Sequence, residues 1–241
     1  MHLARRLVTA TVVAALGIGG LTACRSQPGI AAYVGDQQIT EDTVTSWVDG
    51  AVPAAGQDQQ EPTPGPSVGA DEPPPVSRQE AVDLAVSLDL GKQIAAEKNL
   101  QVQPQVTAEQ VAAELGVEPG SEYARMFAEW INVAQAILAT ESAQAPTDEQ
   151  ITTVYQQLVA AGAIEPNLPL ADVKQAFGDG QFVSSASALA DQLAAKADAN
   201  DASINPRYLP LAAPLFVTAN GRPVFYQLPY VEGSGAVVDR S

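Results

Sequence analysis

The segment from residue 123 to 138 constrains the fold most, because its apolar side chains recur with the period of an α-helix. Counted from Tyr123, they fall at positions i, i+3, i+4, i+7, i+8, i+11, i+14 and i+15, on one continuous helix face. The members of this stripe are Tyr123, Met126, Phe127, Trp130, Ile131, Ala134, Ile137 and Leu138. Strand residues would alternate with a period of two, so the spacing predicts a long amphipathic helix.

Helix-start signals on both sides of this stripe predict further helices. Three capping boxes, each a Ser or Thr followed three residues later by Glu or Gln, begin at Ser77, Thr107 and Thr147. The glycines at 116 and 162 are typical of helix ends. We therefore expect helices over about 77–99, 107–116 and 147–162, and two more near Leu170–Phe177 and Val183–Ala197. Five or six helices between 77 and 200 would make an α-helical module.

The chain before this module has two different parts. A short apolar stretch over 29–38 ends in a Gly-Asp turn, and Thr40 is then placed to cap a short helix over Glu41–Val48. Residues 50–76 hold seven prolines and almost no large apolar side chain. Such a segment cannot bury enough surface to offset its ordering entropy, so we predict a Pro-rich disordered insertion there.

The C-terminal part of the chain changes from a helical to an extended pattern. The segment Ala202–Tyr208 is expected to be extended, because Asn205 precedes a proline and Ile204 is β-branched. Farther on, Asn220-Gly221 lies between two apolar runs, which is the strongest short-range signal for a β-hairpin. Pro223 lacks an amide N–H and places its strand at a sheet edge. A loose tail is expected from Glu232.

Composition limits the chemistry that the chain can carry. It has 241 residues, one Cys, one His and a formal net charge of −16. A single Cys cannot form an intramolecular disulfide, and one His with one Cys cannot complete a structural zinc site. The acidic balance argues against a nucleic-acid partner, because phosphates repel it. We expect no metal, no cofactor and no catalytic residues.

The first 24 residues have the pattern of an export signal. Two arginines precede an uncharged apolar run over Leu7–Leu21, which is shorter than the roughly 20 residues of a membrane-spanning helix. The following Leu21-Thr22-Ala23-Cys24 resembles the lipobox of bacterial lipoproteins. The resemblance implies that Cys24 is lipidated and that the chain is cut before it, which would remove His2. The mature protein would then be anchored to the extracytoplasmic face of the cell membrane.

Beyond the lipobox, the order of segments is similar to that of a known group of proteins. GIAAYVGDQQIT leads into a helix, a helical module follows, and ASINPRY comes near the end. This order resembles actinobacterial lipoproteins with a domain like the SurA N-terminal chaperone domain, which PrsA and trigger factor share. The resemblance implies that the NPRY segment returns to pair with the first strand. It does not imply prolyl isomerase activity, because the isomerase domains of SurA and PrsA use histidines. The mature chain would have none once His2 is removed.

Two interpretations of the apolar stripe stay open at this stage. Met126, Phe127, Trp130 and Ile131 could line an apolar cradle for unfolded polypeptide, since Met adapts to varied shapes and Trp is favoured at binding surfaces. Continuous helical stripes usually face inward, however, which favours the interpretation that the stripe forms the core of the module. Trp47 has the same two interpretations, as a client contact or as a lid on the core.

The expected fold class is mainly α, with a helical SurA-N-like module closed by a small β element from the N- and C-terminal segments. The expected divisions are a signal peptide (1–23), a first strand and helix (24–49), the insertion (50–76), the module (77–210) and a hairpin with its tail (211–241). The expected function is chaperone-like binding of exported unfolded polypeptides. The alternative is a non-catalytic scaffold that binds one cell-envelope protein.

Overall fold

The computed structural model describes residues 29–53, 75–141, 144–219 and 222–233, and these residues are mainly helical with small antiparallel sheets, as predicted. The helices are α1 Glu41–Ala51, α2 Arg78–Glu97, α3 Ala108–Leu115, α4 Glu122–Leu138, α5 Asp148–Ala160, α6 Leu170–Phe177 and α7 Gln181–Ala199. The strands are β1 Ile30–Val34, β2 Gln37–Thr40, β3 Ser203–Ile204, β4 Leu211–Ala219 and β5 Arg222–Val231. A 3-10 turn spans Pro206–Tyr208.

Side-chain caps begin most of these helices at the predicted residues. The capping boxes of Ser77, Thr107 and Thr147 are all formed, and the Thr40 hydroxyl accepts a hydrogen bond from the amide of Thr43. Gly116 ends α3 in the left-handed conformation. The expected start of α7 at Val183 is wrong by two residues, because α7 begins at Gln181 directly after the left-handed Gly180.

Helix α4 lies at the centre of the hydrophobic core and packs against α1, α2, α3 and α7. Trp130 is fully buried, and its indole Nε1 donates a hydrogen bond of 2.6 Å to the carbonyl oxygen of Pro214. The ring lies against Gly91 of α2, where an added Cβ would come within 2.9 Å of its Cζ3 atom. Glycine at this position therefore makes the close approach of α2 and α4 possible.

Three short strands join the segment at residues 30–40 to the segment that follows α7. Their order is β2-β1-β3, and both pairings are antiparallel. Tyr33 pairs with Ser203, and the amide of Asn205 donates to the carbonyl oxygen of Ala31 at 2.9 Å. The expectation that Ala202–Tyr208 is extended is correct only for β3, because the 3-10 turn follows immediately.

A cluster of polar side chains around Glu41 holds this junction. Its Oε2 atom accepts hydrogen bonds from Arg78 Nη2 at 2.6 Å and from the Tyr208 hydroxyl at 2.7 Å, and its Oε1 atom ion-pairs with Arg207. Burial alone would raise the pKa of Glu41, but the hydrogen bonds from Tyr208, Arg78 and Arg207 together lower it. Glu41 thus ties α1 both to the start of α2 and to the segment after β3.

Replacing Glu41 with glutamine is expected to lower the free energy of unfolding at pH 7 by about 1–2 kcal/mol, because it leaves two arginines without their anion. A carboxylate with a lowered pKa stabilises the fold above its unfolded pKa, and this contribution is lost as the pH falls through the folded pKa. In urea unfolding, the unsubstituted chain and the glutamine variant should therefore differ less in their free energy of unfolding at pH 3 than at pH 7. The exposed neighbour Asp42→Asn is the control, with an expected cost below about 1 kcal/mol.

The predicted β-hairpin is confirmed, but it is not separate from the helical module. Strands β4 and β5 pair from Leu211↔Val231 to Ala219↔Arg222, and the Asn220-Gly221 turn lies outside the described residues. The hairpin packs on α2, α5 and α7, and its inward-facing side chains belong to the same hydrophobic core as the helices. A division at residue 211 would therefore cut through that core.

The predicted insertion is wrong at both of its ends. Helix α1 continues to Ala51, which is fully buried, and Val76 is also buried in front of α2. Both side chains join the hydrophobic core, so the chain is fixed there despite the neighbouring prolines. The rest of the insertion, residues 54–74, lies outside the described residues, as do the predicted signal peptide, Cys24 and the tail from residue 234.

Candidate binding groove

A groove beside the edge of the three-stranded sheet contains two of the residues that the sequence singled out, Trp47 and Met126. It has a volume of about 280 Å³ and is named here the Trp47 groove. Its lining residues are Val34, Gln37, Gln38, Ile39, Thr43, Trp47, Ala85, Leu88, Asp89, Lys92 and Met126. Strand β2, helix α1, helix α2 and helix α4 each supply part of this wall.

The local structure explains why these side chains meet. Thr43 and Trp47 are four residues apart on α1 and so lie on the same helix face. Trp47 is partly buried and packs against the hydrophobic core, whereas Met126 is only 8% exposed. Together, an adaptable thioether and a partly exposed indole give the groove an apolar surface that fits side chains of different shapes.

The rim of the groove includes a free strand edge and a few charges. Among the described strands, β2 pairs only with β1, so β2 is an edge strand and none of these strands occupies its outer edge. Lys92 ion-pairs with Glu129 at 2.7 Å, and the Asp89 carboxylate accepts a hydrogen bond from Gln93 at 3.1 Å. The charges at the rim are therefore largely satisfied within the protein.

The remaining candidate residues lie elsewhere. Phe127 is 3% exposed and Trp130 is fully buried, because the β4–β5 hairpin covers this side of α4. The ring of Phe127 makes an edge contact with Phe225 of β5, with ring centres 5.6 Å apart. The interpretation that Phe127 and Trp130 contact a client is therefore wrong for the folded protein, because both side chains belong to the hydrophobic core.

Ile131 lines a second, smaller cavity between α3, α4 and the hairpin. This cavity of about 210 Å³ is also lined by Val111, Phe225 and the exposed Phe216. The apolar stripe is therefore divided between two clefts and the core, and no single cradle contains all four of its candidate residues. Ile39 and Leu88 of the Trp47 groove were not among the predicted site residues, because apolar character alone does not separate a groove wall from a core position.

The described residues offer no group of three or more His, Cys, Asp or Glu side chains that could hold a metal ion. Within the same residues, no helix is long and apolar enough to cross a membrane. Comparison with known proteins yields no matching family model, no matching curated protein and no matching solved structure.

Proposed function

We propose that this chain is a lipoprotein, anchored through Cys24 at the extracytoplasmic face of the cell membrane, which binds apolar segments of exported unfolded polypeptides. The observation that carries this proposal is the Trp47 groove, where an apolar floor lies beside the free edge of β2. The pairing of β3 with β1 supports a likeness to the SurA N-terminal domain, since that resemblance implies such a return of the chain.

An extended segment of a client would add to the sheet at the edge of β2. Backbone hydrogen bonds to an edge strand do not depend on the client sequence, and alternate side chains of an added strand point to the same face. One such side chain would enter the groove between Trp47 and Met126. The volume of about 280 Å³ suits one or two side chains, so binding would be weak and the client would exchange quickly.

One observation favours the alternative, a scaffold that binds a single envelope protein. The large apolar side chains that are clearly exposed among the described residues are Val52, Val102, Leu170 and Phe216, on four different segments. A general holdase would be expected to present a contiguous apolar patch of several hundred Å². A scaffold would instead recognise its partner through a small specific groove.

Removing Trp47 tests the proposal. The assay measures aggregation of a chemically unfolded substrate protein by light scattering. The full chain in phosphatidylcholine vesicles should suppress the scattering. Trp47→Ala should weaken this suppression about tenfold, as expected for loss of an aromatic anchor that a bound client would bury. Phe216→Ala is the matched control, because it removes an exposed aromatic side chain from the other cleft. Both variants should keep the far-UV circular dichroism of the unsubstituted chain.

The outcomes separate the two candidate functions. Equal suppression by the chain and by Trp47→Ala would place client binding outside the groove. No suppression at several-fold molar excess would rule out the chaperone-like function. If cross-linking at position 47 in membranes then captured one envelope protein reproducibly, the scaffold function would be supported.

A further inference from the structure

One acidic side chain lies inside the core, at the place where the β4–β5 hairpin begins. Asp83 of α2 is 2% exposed. Its Oδ1 atom accepts hydrogen bonds from Gln79 Nε2 at 2.9 Å and from the amide of Ala212 at 3.2 Å. Ala212 lies at the irregularity where the register between β4 and β5 shifts.

Gln79 extends this contact to the segment that leads into the hairpin. Besides Asp83, its Nε2 atom donates to the carbonyl oxygens of Tyr208 at 3.1 Å and of Pro210 at 3.2 Å. Through these bonds the Asp83–Gln79 pair joins α2 to three backbone positions between 208 and 212. The pair therefore fastens the base of the hairpin to the helical module.

No cation faces Asp83 among the described residues, in which the ion pairs all involve other carboxylates. Its ionisable neighbours are Glu80 of α2, Tyr123 of α4 and Tyr230 of β5, which are acidic or neutral. Strand β4 has no ionisable side chain, β1 has only Tyr33, and Arg78 and Arg207 pair with Glu41. The charged side chains that join α7 to this helix are at the C-terminal end of α2, away from Asp83. There Lys196 of α7 pairs with Glu97, and Lys98, just after α2, donates to Gln192 of α7.

Burial in these surroundings raises the pKa of Asp83 to about 7, although the hydrogen bonds from Gln79 and Ala212 act in the opposite direction. When the hairpin leaves α2, the carboxyl reaches water and its pKa returns towards the ordinary value of 3.8. The docked form therefore binds more protons than the open form between about pH 4 and pH 7. Raising the pH through this range favours opening, and the effect levels off above pH 7.

From this geometry we propose that Asp83 is a proton-dependent latch, which holds the β4–β5 hairpin firmly on α2 in mild acid and releases it more often as the pH rises to neutral. Two residues of the hairpin cover α4: Pro214 lies against Trp130, and Phe225 lies against Phe127. Each opening would expose these apolar side chains of α4. The pH would thus set how often the core face of α4 can be reached from outside.

Hydrogen exchange of the hairpin amides tests the latch. The full chain in detergent micelles is exchanged at pH 5 and pH 7, and the opening constants for residues 211–231 are corrected for the pH dependence of intrinsic exchange. If the pKa of Asp83 is 3.8 in the open form and about 7 in the docked form, proton linkage predicts that the hairpin opens roughly 50-fold more often at pH 7 than at pH 5. In Asp83→Asn this increase should fall below about threefold, whereas the exposed control Asp191→Asn should keep it.

A second measurement does not depend on a variant that folds. The side-chain carboxyl carbon of Asp83, followed by NMR in the unsubstituted chain, should titrate near neutral pH. A titration midpoint below pH 5, hairpin opening that does not change with pH, or an unchanged increase in Asp83→Asn would each overturn the proposal. An equal increase in α1 and α6 would also overturn it, because the pH would then act on global unfolding rather than on the hairpin.

Discussion

Replacing Trp130 with alanine is expected to lower the free energy of unfolding by about 3–5 kcal/mol, or roughly 10 °C in Tm. The indole is fully buried where α2, α4 and the hairpin meet, so its removal leaves a cavity. It also leaves the carbonyl oxygen of Pro214 without its 2.6 Å hydrogen bond. Chemical unfolding followed by circular dichroism measures the loss.

Two companion variants identify the cause of this loss. Trp130→Phe keeps one aromatic ring but removes the N–H donor and part of the indole, so it should cost less than the alanine variant, about 1–3 kcal/mol. Gly91→Ala should cost about 1–3 kcal/mol in the unsubstituted chain, because its Cβ would meet Cζ3 of Trp130 at 2.9 Å. In the Trp130→Ala background this cost should shrink. A full cost in both backgrounds would mean that the ring is not packed against Gly91.

Replacing Cys24 with alanine is expected to move the protein from the membrane to the soluble fraction, with the membrane-bound share reduced about tenfold or more. The resemblance to a lipobox implies that the lipid is attached to this thiol, and two or more acyl chains are needed for stable anchoring. Because the described fold begins at residue 29, its circular dichroism should stay the same. Cell fractionation with immunoblotting measures the distribution.

Ser26→Ala is the control for this experiment, since it changes a small polar residue next to the lipobox without touching the thiol. It should remain bound to the membrane. If Cys24→Ala also remained there, uncleaved and in the same amount, the N-terminal apolar run itself would be the anchor. The proposal that lipidation of Cys24 alone anchors the protein would then be wrong.

Local signals made the helices of this protein predictable. A capping box needs only a Ser or Thr and the residue three positions later, and all three boxes form where the sequence places them. The 123–138 stripe likewise needs only helical spacing, and it coincides with α4. The Asn-Gly turn predicted the hairpin from two residues.

Features that depend on distant partners were not predictable in the same way. Asn132 interrupts the apolar surroundings of α4, but its function becomes clear only in the fold, where Oδ1 accepts from the amides of Gln105 and Val106. The same holds for Asp83, which looks like any surface acid of an amphipathic helix until the hairpin covers it. The Trp47 groove forms only when β2, α1, α2 and α4 meet, so no local pattern separates it from the core.

The contact between β1 and the segment after β3 also affects the order in which the protein can fold. Asn205 Nδ2 donates to the carbonyl oxygen of Ile30, 175 positions earlier in the chain. Synthesis at about 5–20 residues per second separates these positions by roughly ten seconds or more. Throughout that interval β1, with four residues that the finished fold buries, lacks its final partner. One edge of β1 thus depends on a partner made much later, whereas its other neighbours β2, α1 and α2 follow it closely in the chain.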